Sequence, residues 1–267
     1  MQTQLAIGVF DSGMGGLTVL RALKETLPNE SFIYLGDTAR LPYGTKSQET
    51  VKQYALQMTK ILVERRIKAL VIACNTATTA ALPILQTILP DIPVMGVIAP
   101  GVAAVIESTK NQHVTVFATE TTIASKAYQN LIYQQLPNAI IQAKSCSLLV
   151  ALAEEGMIDN AIAQETLKHY LHGLHNQDTL LLGCTHFPVF KPLLQKLLPN
   201  TVKIVDSAAA TATMLYKTLL QNNLLKTSDI GTIQYLVTDS IMRFQKVCEI
   251  FLGHTLDFAA IELIDGC

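Results

Sequence analysis

Tryptophan is absent from these 267 residues, and charge of either sign is scarce. Lys and Arg number 20 against 21 Asp and Glu, giving a formal net charge of −1, and charged residues make up 15% of the chain, where a quarter is usual. That balance provides no basic stripe for nucleic acid and no polybasic patch for an anionic membrane surface, so neither partner is expected. The start, Met1-Gln2-Thr3-Gln4, lacks a basic segment, and Asp11 cuts the apolar run from Leu5 to Phe10. Both features argue against a secretory signal and for a cytoplasmic protein. An uninterrupted apolar run of roughly 18 residues, the length of a membrane span, is also missing. The stretch from Ala69 to Ile106 comes nearest, with Asp91 its single charge, but Pro83, Pro90, Pro93 and Pro100 break it. Asn75, Thr76, Thr78, Thr79, Gln86 and Thr87 dot it with groups unwelcome in lipid. It is expected to form buried strand, helix, strand and helix.

Cysteine is sparse and scattered. Cys74, Cys146, Cys184, Cys248 and Cys267 are odd in number and never in CxxC spacing, which speaks against a disulfide framework and a structural zinc site. HExxH is absent as well, so no metal is expected. The glycines of Gly13-Met14-Gly15-Gly16-Leu17-Thr18 fail the GxGxxG spacing of a dinucleotide loop, and no nucleotide is inferred.

What the chain does contain is hydrophobic residues, at 49%, in a length suited to one large α/β domain or two modest ones sharing a cleft. Short apolar runs occur at Ala6 to Phe10, Phe32 to Leu35, Ala69 to Ala73, Val94 to Ile98, Val114 to Phe117, Ile140 to Ala143, Leu180 to Leu182 and Lys203 to Val205. Their continuous rather than alternating apolarity indicates strands covered on both faces, as in a parallel sheet. Helical faces lie between them: Val51, Tyr54, Ala55, Met58, Ile61 and Leu62 form one, with Ser47 as N-cap and Glu49 in the first turn. Another runs over Asp159 to His175, with Ile162, Leu167, Tyr170, Leu171 and Leu174. The alternation predicts an α/β fold with largely parallel sheets flanked by helices.

A weak internal repeat organises these elements. Val9-Phe10-Asp11-Ser12 recurs as Val116-Phe117-Ala118-Thr119, and Val71-Ile72-Ala73-Cys74 as Leu181-Leu182-Gly183-Cys184. Phe32 to Leu35 is matched by Ile140 to Ala143, and Val94 to Ile98 by the region near Ile204 to Ala208. Any two α/β halves share some likeness of this kind. The fuller reading is two similar lobes related by an approximate two-fold axis, each presenting a cysteine at the C-terminal end of a strand, where open α/β sheets place ligands.

Each repeated cysteine closes an apolar strand and is followed by small polar residues, Cys74-Asn75-Thr76-Ala77-Thr78 and Cys184-Thr185-His186-Phe187-Pro188. A thiol beside the free N–H groups of a following helix has its thiolate stabilised. A single cysteine in such a place is usually inert core, but two at matching places suggest activated thiols. Cys146, Cys248 and Cys267 lack that context and are expected to be structural. His186, two residues from Cys184, suits the taking of a thiol proton or the stabilising of a thiolate. Asp11 and Ser12 stand at the end of the first strand, followed by glycines that allow close backbone approach. The loop Gly36-Asp37-Thr38-Ala39-Arg40-Leu41-Pro42-Tyr43-Gly44 lies at the same sheet edge, and its turn amides could hold a carboxylate. Glu154 and Glu155 read as a solvated helix end.

Taken together, Gly8-Val9-Phe10-Asp11-Ser12-Gly13, Gly36-Asp37-Thr38-Ala39-Arg40 with Pro42-Tyr43-Gly44, and the two cysteine motifs resemble the bacterial glutamate racemase family. The likeness runs nearly end to end and includes Val205-Asp206-Ser207 and Phe251-Leu252-Gly253. It implies two α/β lobes with the active site in the cleft between them, no cofactor, no metal, and an isomerase that supplies D-glutamate for peptidoglycan and hence for cell-wall biogenesis and cell shape. By the same resemblance Cys74 would deprotonate D-glutamate and Cys184 L-glutamate. Asp11 and His186 would tune Cys74 and Cys184 respectively, with Asp37 and Glu154 as supporting acids. Asp11, Ser12, Pro42, Tyr43, Gly44, Asn75, Thr76, Thr119, Thr121, Thr185 and His186 would bind substrate. Most of the binding groups are neutral donors, which suit a substrate with two carboxylates without quenching a thiolate.

The repeat and the resemblance place lobe one at residues 1–97, lobe two at 98–207, and a C-terminal return to lobe one at 208–267. In that return, Thr232 to Val237 reads as strand, Ile241 to Leu252 as helix and Ala259 to Ile264 as strand-like. Only six residues precede Ile7, and activation by a peptidoglycan precursor through an N-terminal extension is not expected. Composition does not choose between a monomer and the homodimers that the resemblance allows. Competing readings are an aspartate or related racemase and a non-catalytic role with a protein partner. A thiol redox protein fits poorly, given the wide separation of the thiols.

Overall fold

The structure, a computed structural model, describes residues 2–265; Cys267 lies outside them. The chain opens with β1 (Ile7–Asp11), α1 (Leu17–Thr26), β2 (Phe32–Gly36), α2 (Gln48–Glu64), β3 (Ala69–Ile72), α3 (Asn75–Ile88), β4 (Val94–Gly96) and α4 (Ile98–Ser108). Then follow β5 (His113–Ala118), α5 (Glu120–Ala124), α6 (Ala127–Gln135), β6 (Ile140–Ser145), α7 (Leu148–Glu154), α8 (Ala161–Leu171), β7 (Thr179–Gly183), α9 (Lys191–Leu197), β8 (Lys203–Asp206) and α10 (Ala208–Gln221). The chain closes with β9 (Ile233–Val237), α11 (Ile241–Leu252) and β10 (Ile261–Leu263).

These strands form two sheets, and every strand pair is parallel. The first has the order β10-β9-β2-β1-β3-β4 and the second β6-β5-β7-β8. The order β2-β1-β3-β4 is therefore reproduced as β6-β5-β7-β8, so the sequence repeat is a repeat of topology. β9 pairs with β2, with Tyr34 opposite Tyr235, and adds the C-terminal strands to the edge of the first sheet. The central strands β1, β3 and β7 are buried along their whole length, which explains their unbroken apolar runs.

Local differences from the sequence expectation lie at element ends. β4 stops at Gly96 because Val97 already has helical backbone as the N-cap of α4. β8 ends in the same way at Asp206, with Ser207 as the N-cap of α10. The helix expected over Asp159 to His175 spans Ala161–Leu171, because the Asn160 side chain accepts the Ala163 N–H at 2.9 Å and starts it. Ser47 caps α2 as expected, its Oγ accepting from the Thr50 N–H at 3.2 Å.

One core cluster crosses between the sheets, joining Val9, Tyr34 and Val71 of the first with Leu180, Leu182 and Phe187 around the second. Phe244 and Phe251 of α11 belong to it; burial of such side chains contributes about 1.5–3 kcal/mol each. This packing sets the carboxyl ends of β1, β3, β5 and β7 around one cavity. Among the described residues, no helix is long and apolar enough to cross a membrane.

Candidate active site

Cys74 follows β3 and caps the N-terminus of α3, where its Sγ accepts the Ala77 N–H at 3.4 Å. Cys184 directly follows Gly183, the last residue of β7, and precedes a short turn of 3₁₀ helix, Phe187–Phe190. The two cysteines are 6% and 7% exposed and line the same cavity. Ser12, Asn75 and Thr76 line it from around the first sheet, and Thr119, Glu154, Thr185 and His186 from around the second. Pro42, Tyr43 and Gly44 close one side. A Cβ on Gly44 would stand 2.6 Å from the Thr119 Cβ, so only glycine lets this loop approach so closely.

The surroundings of the two thiols are unlike. Around Cys184, the His186 ring presents Nδ1 to Sγ at 3.8 Å and Nε2 to Glu154 Oε1 at 2.9 Å. Burial alone would push His186 down. The hydrogen bonds and charges of Cys184 and Glu154 outweigh it and carry the imidazole up to about 10. Both ring nitrogens then carry protons, one aimed at the sulfur and one at the carboxylate. Phe251 packs edge-on against the ring, with centroids 5.4 Å apart, and fixes its plane.

Among the described residues, Cys74 has no cationic partner of this kind. Burial and the neighbouring Asp11 carboxylate push its thiol up to about 12, against hydrogen bonds from Ser12 and from the Ala77 amide. The expectation of a thiol activated by the helix end is thereby corrected: one amide at an N-terminus does not offset burial beside an acid. Asp11 is itself raised, because burial outweighs His186 and the amides of Gly16, Gly13 and Ser12. Its Oδ2 accepts the Gly13 N–H at 2.9 Å and lies 3.3 Å from the Tyr34 hydroxyl, while among the described residues Oδ1 has no hydrogen-bond partner.

Hydroxyls stitch the cavity's two sides together. Thr76, Thr119 and Thr122 form a closed triangle with oxygen separations of 2.9, 3.0 and 3.2 Å. The Thr121 hydroxyl donates to the carbonyls of Gly44 and Lys46, at 3.0 Å each, and does not line the cavity. Asp37 also stands outside it. Its carboxylate accepts from the Tyr43 hydroxyl, from Arg40 Nε at 2.7 Å and from the Thr238 hydroxyl at 3.0 Å. Glu154 is buried at 6% exposure, which corrects its reading as a solvated helix end, because His186 draws it inward. Glu155 is exposed and pairs with Arg243 at 2.9 Å. Cys146 and Cys248 are buried away from the cavity.

Sequence reasoning missed Leu41 and Val150, apolar walls of the cavity, which no motif distinguishes from core. It also passed over Thr122, although the run Thr119-Glu120-Thr121-Thr122 carried a signal. Among the described residues, no group of three or more His, Cys, Asp or Glu stands ready to hold a metal ion.

A family model for Asp/Glu/Hydantoin racemase matches residues 7–215. The glutamate racemase of Geobacter metallireducens is 47% identical over 254 residues, covering 94% of each chain. That of Neisseria meningitidis serogroup B is 42% identical over 264 residues, covering 98% of this chain and 97% of the relative. Among solved structures, glutamate racemase isoform RacE1 from Bacillus anthracis superposes with a TM-score of 0.93 at 35% identity, covering 98% of both chains. The Francisella tularensis glutamate racemase, solved in complex with D-glutamate, gives 0.90 at 39% identity, covering 99% of this chain and 98% of that one. With a family model matching most of its length and relatives this similar along nearly all of it, the chain belongs to the Asp/Glu/Hydantoin racemase family, in the company of the glutamate racemases.

Proposed function

We propose that the chain is a glutamate racemase that interconverts L- and D-glutamate with two cysteine bases, without a cofactor, and thereby supplies D-glutamate for peptidoglycan. The observation that carries this reading is the pair of cysteines on one cavity, each ending a strand of its own sheet. Racemisation needs one base and one acid on opposite faces of the same carbon, and a duplicated topology supports such an arrangement. The same duplication supports lobes at 1–97 and 98–207, with 208–267 returning to the first.

The unlike surroundings suggest the resting protonation. Cys184 faces the N–H of an imidazolium held up to about 10, whereas Cys74, pushed up to about 12, rests as thiol. L-Glutamate entering this state would lose its Cα proton to the Cys184 sulfur and gain one on the opposite face from the Cys74 thiol. D-Glutamate would follow the reverse course, starting from Cys74 as thiolate. Ser12, Asn75, Thr76, Thr119 and Thr185, with the backbone of Tyr43 and Gly44, offer neutral donors to the two carboxylates. Because a Cα proton is only weakly acidic, orientation, exclusion of water and these fixed dipoles would have to lower the barrier.

The test is Cα exchange followed by NMR, with purified protein, D-glutamate and heavy water, and neither cofactor nor metal added. Deuterium is expected in both enantiomers, with racemisation about 10²-fold or more slower for Cys74→Ser and for Cys184→Ser. Absence of exchange with glutamate overturns the reading, and exchange with D-aspartate in its place would redirect it to the shorter substrate.

A further inference from the structure

Tyr128 lies on α6, fully buried, and donates its hydroxyl proton to Asn75 Oδ1 at 2.6 Å. Asn75 is the first residue of α3, adjacent to Cys74, and lines the cavity at 3% exposure. Its Nδ2 is buried and has no hydrogen-bond partner among the described residues. A primary amide carries one accepting end and one donating end. A hydroxyl that occupies the oxygen therefore leaves both amide protons for whatever fills the cavity. Turned over, the same side chain would present its oxygen to the ligand and repel a carboxylate.

Tyr128 is held in place to make this choice. A Cβ on Gly183 would lie 2.7 Å from its Cε2, and one on Gly101 3.0 Å from its Oη, so the ring sits in a slot between two bare stretches of backbone. Burial pushes the hydroxyl far above its ordinary range, and the Cys184 and Asp206 charges push the same way. It stays a neutral donor at every working pH. Were it to accept from Nδ2 instead, its own proton would be buried without this acceptor.

We propose that Tyr128 is a positioning residue for the reaction: its hydroxyl locks the Asn75 amide with both donors facing a carboxylate of the substrate. The inference rests on the glutamate reading above and adds a residue that never touches the ligand. An Asn75 freed to turn over binds only through the fraction of molecules with the donors inward, and the apparent affinity falls by that fraction.

A double-mutant cycle tests it, with kcat and KM for D-glutamate measured for wild type, Tyr128→Phe, Asn75→Ala and the double variant. Tyr128→Phe keeps the ring and is expected to raise KM about fivefold, with a smaller change in kcat. Asn75→Ala is expected to raise KM about 10-fold or more. In that background Tyr128→Phe should change KM less than twofold, because the two residues act through one contact. An equal loss from Tyr128→Phe in both backgrounds would show a packing role and overturn the proposal, as would an unchanged KM in the single variant. If Asn75→Ala leaves KM unaltered while the wild type racemises glutamate, the Tyr128 proposal falls and the racemase reading stands. If the wild type does not racemise glutamate, both fall. Should Tyr128→Phe not fold, Asn75→Asp keeps the acceptor for Tyr128 and removes the donors. It is expected to bind D-glutamate at least as weakly as Asn75→Ala, and binding equal to wild type would overturn the proposal.

Discussion

Glu154 Oε1 lies 2.9 Å from His186 Nε2, and that contact turns the other ring nitrogen toward the Cys184 sulfur at 3.8 Å. The carboxylate works through the ring: its negative charge keeps the imidazole protonated, so that the other N–H points at the Cys184 sulfur. Glu154→Gln keeps a hydrogen-bond acceptor but loses the charge. Loss of a charge-assisted contact of this kind should lower kcat/KM about 10-fold or more. Because the two enantiomers are equal in free energy, the loss must be the same in both directions. The high-pH limb of the kcat/KM profile, which reports free-enzyme groups, should move down from about 10. Rates in both directions across pH check this, and an unmoved limb would remove Glu154 from the relay.

Stability should follow the same proton. His186 is held up to about 10 from an ordinary 6.5, so between those values the folded protein keeps a proton that the unfolded chain releases. The stabilisation is fully present below about 6.5 and is lost as pH rises through about 10. Cys74, raised from 9.0 to about 12, acts with the same sign over its own higher window. Thermal unfolding should show Tm falling steadily from pH 7 to pH 10. His186→Gln should flatten that slope, and a Tm that rises over this range would contradict the assignment.

Asp37 was expected as a supporting acid, yet it stands behind the cavity, where Tyr43, Arg40 and Thr238 all donate to it. The Arg40 guanidinium also sits 4.3 Å above the Tyr54 ring and is fixed there. Asp37 thus organises the loop that brings Tyr43 and Gly44 to the cavity. Asp37→Asn weakens the charge-assisted contacts and should raise KM by about 10-fold. The kcat/KM pH profile should keep its shape, since no proton passes through Asp37. A displaced limb would restore Asp37 to a role in proton transfer.

The parts of this molecule written in local pattern were readable from sequence. Continuous apolar runs located the strands, and the likeness of Cys74 and Cys184 in context anticipated a repeated set of strands, though not their order in the sheets. Roles that depend on residues distant in the chain were not readable. Thr238, which reaches Asp37 from 201 positions away, has no local mark. Tyr128 has no local mark either, because its partner Asn75 opens α3, 53 positions away. Glu154 looked solvated since nothing nearby in sequence announces the buried His186. Cys74 shows the opposite failure: the helix end was visible, but the burial and the Asp11 carboxylate that outweigh it came only with the tertiary structure.

Thr122 makes the last of these points testable. It completes the triangle with Thr76 and Thr119 from outside the cavity, whereas its two partners line it. Each hydroxyl has one proton and can accept, so three of them at 2.9, 3.0 and 3.2 Å satisfy one another. When a carboxylate arrives, Thr76 and Thr119 can turn their protons toward it while still accepting from Thr122. Thr122→Val removes that donor, keeps the side-chain volume, and leaves the two inner hydroxyls with one fewer proton between them. Loss of a neutral hydrogen bond of this kind should lower kcat/KM about three- to tenfold. Thr122→Ser keeps the hydroxyl and should retain near-wild-type kcat/KM; a Ser variant as impaired as Val would assign the effect to methyl packing.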